Sequence, residues 1–298
     1  VPKSSPPTPP EGILSALGAF FLWGVLPMFW KCLQGLPATS IIAHRTIWSV
    51  LVLWSILALQ KKAVTTWRQL GNSKIFIWHL LSGLLLAANW LLYVWATLQE
   101  RILETALGYY LNPFVNMLFG YCLFGETHSR GQKISIAIAL LGVACQFHGV
   151  HGFPWIALIL ALTFSLYAVV RKKSPLSSLP GLGIETLLLS PIALAWLCVA
   201  HPTLSNTLAN FNQQSLLLIL TGVATSMPLL LFGHATRKIS LTTLGILQFL
   251  SPTLQWLVGW RIYHESMTPE RTISFALIWL AIALYGFSSW KKSTAISD

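Results

Sequence analysis

Charge is scarce in this chain. Of 298 residues only 9% are Asp, Glu, Lys or Arg, against about 25% in an ordinary soluble domain. Apolar residues make up 55% and the mean hydropathy is +0.67. No soluble fold of this size has interior enough to hide so much apolar surface, so lipid must be the solvent. Enzyme motifs are missing as well: there is no GxSxG, HExxH, P-loop or CxxC. No catalytic residue, cofactor or metal site is therefore nominated. The eight histidines are scattered, and the His148/His151 pair lacks a third ligand. Cys32, Cys122, Cys145 and Cys198 lack metal-ligand spacing and read as small buried hydrophobes. The ten-residue alternation of barrel strands is also absent, so the spans must be α-helices.

Ten apolar stretches are long enough to span a bilayer, near 12–33, 38–60, 75–99, 103–124, 130–148, 153–171, 180–200, 215–236, 241–263 and 270–290. The expected fold is all-α and polytopic. The Pro/Ser-rich segment 1–11 reads as disordered and 291–298 as a cytoplasmic tail. The net charge of +11 would suggest nucleic acid only if its distribution were ignored. With a cytoplasmic N-terminus, one side receives Lys3, Lys61, Lys62, Arg68, Lys74, Arg130, Lys133, Arg171, Lys172, Lys173, Arg237, Lys238, Lys291 and Lys292. The other receives Lys31, Arg45, Arg101, Arg261 and Arg271, which makes 14 against 5. That asymmetry reads as topology with both termini cytoplasmic.

The second half repeats the first. LNPFVNMLFGYCLFGETHSRGQKIS begins at Leu111 and LSPTLQWLVGWRIYHESMTPERTIS at Leu250. The offset 252 − 113 = 139 pairs Pro113 with Pro252, Gly120 with Gly259, Glu126 with Glu265 and Gly83 with Gly222. Earlier helices align better at 144, as in Trp23 with Tyr167. Five spans per half force the second copy into the membrane upside down, giving inverted repeats over 12–148 and 153–290 that meet near 149–152. Such a duplication is the usual architecture of a carrier.

Within the repeat lies a polar stripe. Tyr109, Asn112, Pro113, Asn116 and Gly120 share one helix face at i, i+3, i+4, i+7 and i+11; Gln248, Ser251, Pro252, Gln255 and Gly259 have identical spacings. Polar side chains inside lipid face protein or a wet cavity. Matched prolines at mid-span read as helix breaks flanking a substrate site. Asn89, Trp90 and Tyr93 on the third span, Thr225 and His234 on the eighth, and Trp23, Thr163 and Tyr167 on the first and sixth complete the candidate substrate-binding set. The alternative is that Asn112, Asn116 and Gln255 only tie helices together. Arg45 and Glu185 fall near opposite ends of repeat-related helices. They read as a pair of gates, or with Glu185 coupling transport to protons. The alternatives are an arginine snorkelling to the headgroups and a glutamate in a favourable first turn. Glu126 and Glu265 read as structural, satisfying backbone donors at the starts of the fifth and tenth spans, where Ser129 and Thr268 are the expected N-caps.

At these residues the chain resembles a known family. The pattern GxxxALxAFxxWGxxPxFxK from Gly12 to Lys31, His44-Arg45, Asn89-Trp90, Gly108-Tyr109 with Asn112-Pro113, Gly125-Glu126, Val170 to Lys173, Glu185-Thr186, and Gln248 with Pro252-Thr253 are similar to RarD, a branch of the EamA group in the drug/metabolite transporter superfamily. The likeness covers nearly everything after the first ten residues. It implies a ten-helix, inverted-repeat carrier of the bacterial inner membrane, with a cavity formed by the first, third, fourth, sixth, eighth and ninth helices. Its label "chloramphenicol-sensitive protein" implies drug export, while superfamily relatives export amino acids and other metabolites. One departure is His264 where the first repeat has Gly125. The leading expectation is thus a secondary transporter whose partners are a small-molecule substrate and the bilayer, with protons as an optional third. The other is a membrane receptor or assembly subunit that moves nothing.

Overall fold

The computed structural model describes residues 10–33, 35–98, 102–145, 154–200, 212–262 and 269–297. Among these there is no strand. The helices are α1 (Pro10–Lys31), α2 (Ala38–Leu59), α3 (Ala63–Gln69), α4 (Ser73–Leu98), α5 (Ile102–Phe124), α6 (Arg130–Ala144), α7 (Trp155–Lys173), α8 (Ser178–Ala195, widening into a π-helical turn at Trp196–Ala200), α9 (Gln213–Lys238), α10 (Leu241–Gln248), α11 (Leu250–Ile262) and α12 (Pro269–Ser297). Six helical segments are long and apolar enough to cross a membrane: Pro10–Lys31, Thr39–Leu59, Ser73–Tyr93, Trp155–Lys173, Ser178–Val199 and Gln213–Lys238. Their outward faces carry Leu14, Phe21, Leu51, Leu91, Ile192 and Met227, all exposed. An apolar exterior of this extent is a lipid-facing surface, and the chain is a multi-pass membrane protein.

Local chemistry sets several helix ends. Ser129 caps α6 in a reciprocal capping box: its hydroxyl accepts from the Gln132 N–H at 3.2 Å, while its own N–H donates to Gln132 Oε1 at 2.9 Å. Asn212 and Ser240 accept from the third residue of α9 and α10 in the same manner. Gly125 ends the turn after α5 at φ 64°, a conformation costly for any residue with a Cβ.

Some expectations are corrected. α1 already begins at Pro10, within the segment expected to be disordered, because proline suits the first helical position and Glu11 its first turn. The surface helix α3 was not foreseen, and α12 runs on to Ser297 instead of ending at 290. Cys32, Cys122 and Cys198 are exposed and Cys145 is half-buried; none is paired. With lipid as the solvent, an apolar residue has no need to point inward. Residues 1–9, the 149–152 junction, His148, His151, Glu265 and Thr268 lie outside the described residues.

The packing has a pattern. α1 lies against α9 and the α10–α11 pair, and α7 lies against α4 and α5. α2 packs on α9 and α4 on α8, while α2 meets α8, α5 meets α10 and α6 meets α12. Gly222 permits the α2–α9 contact. A Cβ there would lie 2.5 Å from the Trp48 carbonyl carbon, and the Ser49 hydroxyl donates to the Gly222 carbonyl at 3.3 Å. At the centre, Phe20, Trp23, Phe164, Tyr167 and Phe232 form a contiguous aromatic cluster, with Tyr167 and Phe232 stacked at 9°.

Candidate functional site

Polar groups inside this protein fall into three tiers along the helix axes. In the middle tier Asn112, Asn116, Gln248 and Ser251 are buried while Gln255 is exposed, against the inward face expected of it, and polar side chains tie the helices together. Asn112 is 1% exposed, and its Oδ1 accepts from the Ser165 hydroxyl on α7 at 2.6 Å. Asn116, fully buried, donates to Gln248 Oε1 on α10 at 3.0 Å. Asn89 of α4 donates to the Leu160 carbonyl and the Thr163 hydroxyl of α7, both at 2.9 Å. Gln255 donates to the Trp23 carbonyl on α1 at 3.1 Å and to Ser251 at 3.4 Å. Tying helices is therefore part of what these side chains do. Among the described residues two atoms of this tier nevertheless lack a hydrogen-bond partner, Asn112 Nδ2 and Asn116 Oδ1, one donor and one acceptor a helical turn apart.

The prolines do not act alike. α5 runs through Pro113 without interruption, so Pro113 is not a helix break. Its carbonyl instead makes a close backbone contact: a Cβ on Gly245 of α10 would lie 2.7 Å away. The partner helix is divided at Phe249, where the N–H turns back to Ile246 at 3.3 Å. Pro252 has no N–H for the carbonyl four residues earlier, that of Gln248, where α10 ends. Of the two matched prolines, only Pro252 lies beside a break in its helix.

One end tier, at the opposite end of α1 from Glu11, is built around Arg45. Its Nε donates to the Thr225 hydroxyl at 3.1 Å; its guanidinium carbon sits 3.8 Å over the Trp90 ring and 5.5 Å from that of Trp30. Tyr109 lies within electrostatic reach of it and meets Tyr93 edge-on at 5.6 Å. Contacts from three other helices hold this partly buried side chain, which favours a place in the helix bundle over snorkelling.

The other end tier is the one that spacing could not reveal. Glu185 is fully buried, about 10 Å along α8 at 1.5 Å per residue, and so is not in a first turn. Its Oε1 accepts from Arg171 at 3.0 Å and the Ser82 hydroxyl at 2.8 Å and lies 3.1 Å from His79 Nδ1; Tyr167 donates to Oε2 at 3.4 Å. Arg171, expected as a loop charge, is 1% exposed, and its other terminal nitrogen donates to the Ser178 carbonyl at 3.1 Å. Arg171, His79, Ser82 and Ser165 are the residues that sequence reasoning missed. His79 and Ser82 carried a signal: they are three apart on one face of α4, with Ser82 directly before Gly83. Beside this tier Lys172 donates to the Thr236 and Ile239 carbonyls at 3.1 and 2.5 Å, closing the end of α9. Glu126 caps a different helix from the one expected. It accepts from the Leu241 and Thr242 N–H groups at 2.7 and 2.9 Å, at the start of α10. His234 stands away from the stripe, lining an open cavity of about 620 Å³ with Ser15, Gln60, Ser178, Arg237 and Lys238.

The model of the EamA-like transporter family matches residues 10–147. An uncharacterized transporter of Pseudomonas aeruginosa is 40% identical over 95% of both chains. The RarD protein of Escherichia coli is 36% identical over 92% of this chain and 93% of its own. This chain belongs to the EamA-like transporter family, in its RarD branch. Another member, an uncharacterized transporter of Bacillus subtilis, is 35% identical over 95% of this chain and 97% of its own. A crystal structure shares the fold with a TM-score of 0.71 at 18% identity, over 93% of this chain and 98% of that one. The family makes the chain a membrane transporter, and the three polar tiers are the places to look for how it works.

Proposed function

We propose that this chain is a secondary transporter that exports small organic solutes across the bacterial inner membrane by alternating access. The observation that carries this reading is the unmet donor and acceptor on Asn112 and Asn116. Buried polar atoms in folded proteins nearly always have partners, and an unpaired couple amid cross-helix ties is available to a solute or to water. Gln248 adjoins it directly, and in this reading Asn89, Thr163, Ser251 and Gln255 contribute further polar contacts to the solute while Trp23, Trp90, Tyr93, Tyr109 and Tyr167 supply apolar ones.

Ten spans in two inverted repeats fit the packing. Exchanging α1 with α7, α2 with α8, α4 with α9, α5 with α10–α11 and α6 with α12 carries the largest contacts onto one another or onto themselves, though the smaller α7–α9 contact has no such counterpart among the described residues. The α5–α7 contact becomes that of α1 with α10–α11, α2–α9 becomes α4–α8, and α1–α9 becomes α4–α7. The family model's bounds, 10–147, nearly coincide with one such unit. Arg45 and the Arg171–Glu185 pair occupy opposite ends, as two gates of an alternating-access carrier would. Glu185 is already neutralised by Arg171, which favours a gate over a proton carrier. The charge asymmetry of the loops supports cytoplasmic termini.

The test is counterflow in proteoliposomes against a panel of amino acids and aromatic drugs, with and without a pH gradient. Wild-type protein is expected to exchange at least one panel solute. The double variant Asn116→Leu with Gln248→Leu should stay monodisperse and lose that exchange. Undiminished flux in the variant would sink the assignment, and solute binding without any flux would favour a receptor.

A further inference from the structure

We infer that Arg45 is the receptor for a carboxylate on the transported solute, so that the carrier favours monocarboxylates with a flat apolar body; this rests on the transport reading above. Among the described residues two guanidiniums lie between membrane-spanning helices, Arg171 buried and Arg45 partly buried, and they are treated differently. Arg171 is met by the Glu185 carboxylate and the Ser178 carbonyl. Arg45 forms no ion pair among the described residues, and its one hydrogen bond there is from Nε to Thr225. A cation left inside a membrane span without a counter-charge is expensive, and such residues mark substrate and ion pathways. Trp90 covers one face of the guanidinium at 3.8 Å, and Trp30 lies 5.5 Å from it. With Nε engaged and one face stacked on Trp90, the in-plane edge carrying the terminal N–H groups remains. That edge is the fork that receives a carboxylate through two parallel hydrogen bonds. The indoles of Trp30 and Trp90 and the edge-packed Tyr93/Tyr109 pair would receive a planar apolar group beside it. A phospholipid phosphate offers similar chemistry. The groups that touch Arg45 come from α1, α4 and α9, however, with Tyr109 of α5 within electrostatic reach, and α4 and α5 also carry Asn89, Asn112 and Asn116. The contacts of this partly buried guanidinium thus come from neighbouring helices.

The experiment uses the full chain in liposomes and three probes of one shape: 3-phenylpropionate, 3-phenylpropionamide and protonated 2-phenylethylamine. Wild-type protein should exchange the acid at least about ten-fold faster than the amide or the amine, the value of one well-formed charged contact. In Arg45→Gln the acid-to-amide ratio should fall to near one, and in Arg45→Lys it should be intermediate because the charge stays while the fork is lost. If Arg45→Gln does not fold, Thr225→Val, which frees Nε and loosens the aim of the fork, should still lower the ratio. A wild-type ratio near one, or a ratio unchanged in these variants, overturns the inference while leaving transport intact. Pure phosphatidylcholine and phosphatidylglycerol-containing liposomes should give the same ratio; suppression of acid exchange by the anionic lipid assigns Arg45 to a headgroup and also overturns it. If no panel solute moves at all, the export reading fails separately. Calorimetric titration of purified protein with 3-phenylpropionate then decides: binding lost in Arg45→Gln upholds the carboxylate receptor, and no binding to wild type removes it.

Discussion

Glu185→Gln is the substitution from which most is expected for the least change in shape. The amide is nearly isosteric with the carboxylate, so packing around α8 is kept and only charge and acceptor capacity change. In the wild type a single oxygen, Oε1, accepts from Arg171 at 3.0 Å and Ser82 at 2.8 Å, and His79 stands 3.1 Å away. Both partners of the ion pair are essentially sealed, at 1% and 0% side-chain exposure, so water cannot replace what is lost. The Arg171 guanidinium would be left as an unmatched buried charge whose Nε already lacks a partner. Breaking one side of such a pair costs about 3–5 kcal/mol, whereas replacing both partners by apolar residues of similar volume is often nearly neutral. The assay is reversible unfolding in mixed micelles by SDS titration, followed by tryptophan fluorescence. It would be run on wild type, Glu185→Gln, Arg171→Met and the double variant, which close a thermodynamic cycle. The single variants should each lose about 3 kcal/mol or more, and the double variant should recover most of it. Single losses below about 1 kcal/mol, the value of a solvent-exposed pair, would refute the sealed ion pair as the tie between α7 and α8.

Two further expectations follow from geometry at other helix ends. Glu126→Ala removes the acceptors of the Leu241 and Thr242 N–H groups and the Thr242 hydroxyl; it should cost about 0.5–2 kcal/mol, the usual value of an N-cap, and the same SDS titration reads it, with an unchanged midpoint counting against the cap. Cys32 is exposed just beyond the last residue of α1. In a variant with the other three cysteines replaced by serine, a membrane-impermeant maleimide added to intact spheroplasts should label Cys32. Labelling that requires lysis would reverse the proposed orientation.

What was legible in the sequence was whatever repeats along one helix. The stripe at Asn112, Asn116, Gln248 and Ser251 could be read because its members share a face at fixed spacing, and all four are buried as that spacing implies. The Ser129 capping box was legible because it closes over three residues. The Arg171–Glu185 pair was not, because its members lie on different helices joined through a turn, and no periodicity links position 171 to 185. Arg171 also sits in a run with Lys172 and Lys173, which made it look like loop charge. The fate of the prolines was hidden for a related reason. Both remove one backbone donor, but whether the helix parts there depends on the partner pressed against it, and Pro113 has the Gly245 backbone at its carbonyl. The cysteines misled because burial was argued as it would be in water.

The carboxylate of Glu126 reaches from the end of α5 to the first two N–H groups of α10, across more than a hundred residues of intervening chain. It acts as a rivet. With Pro113 seated against Gly245 further along, α5 and α10 are fastened at two points and form a single lever arm. α11 continues the same span beyond the joint at Phe249 and rests on α1, where Gln255 holds the Trp23 carbonyl. In the proposed alternating access, a joint at Phe249 would let the stretch of α11 that carries Ser251 and Gln255 swing while α10 stays fastened to α5.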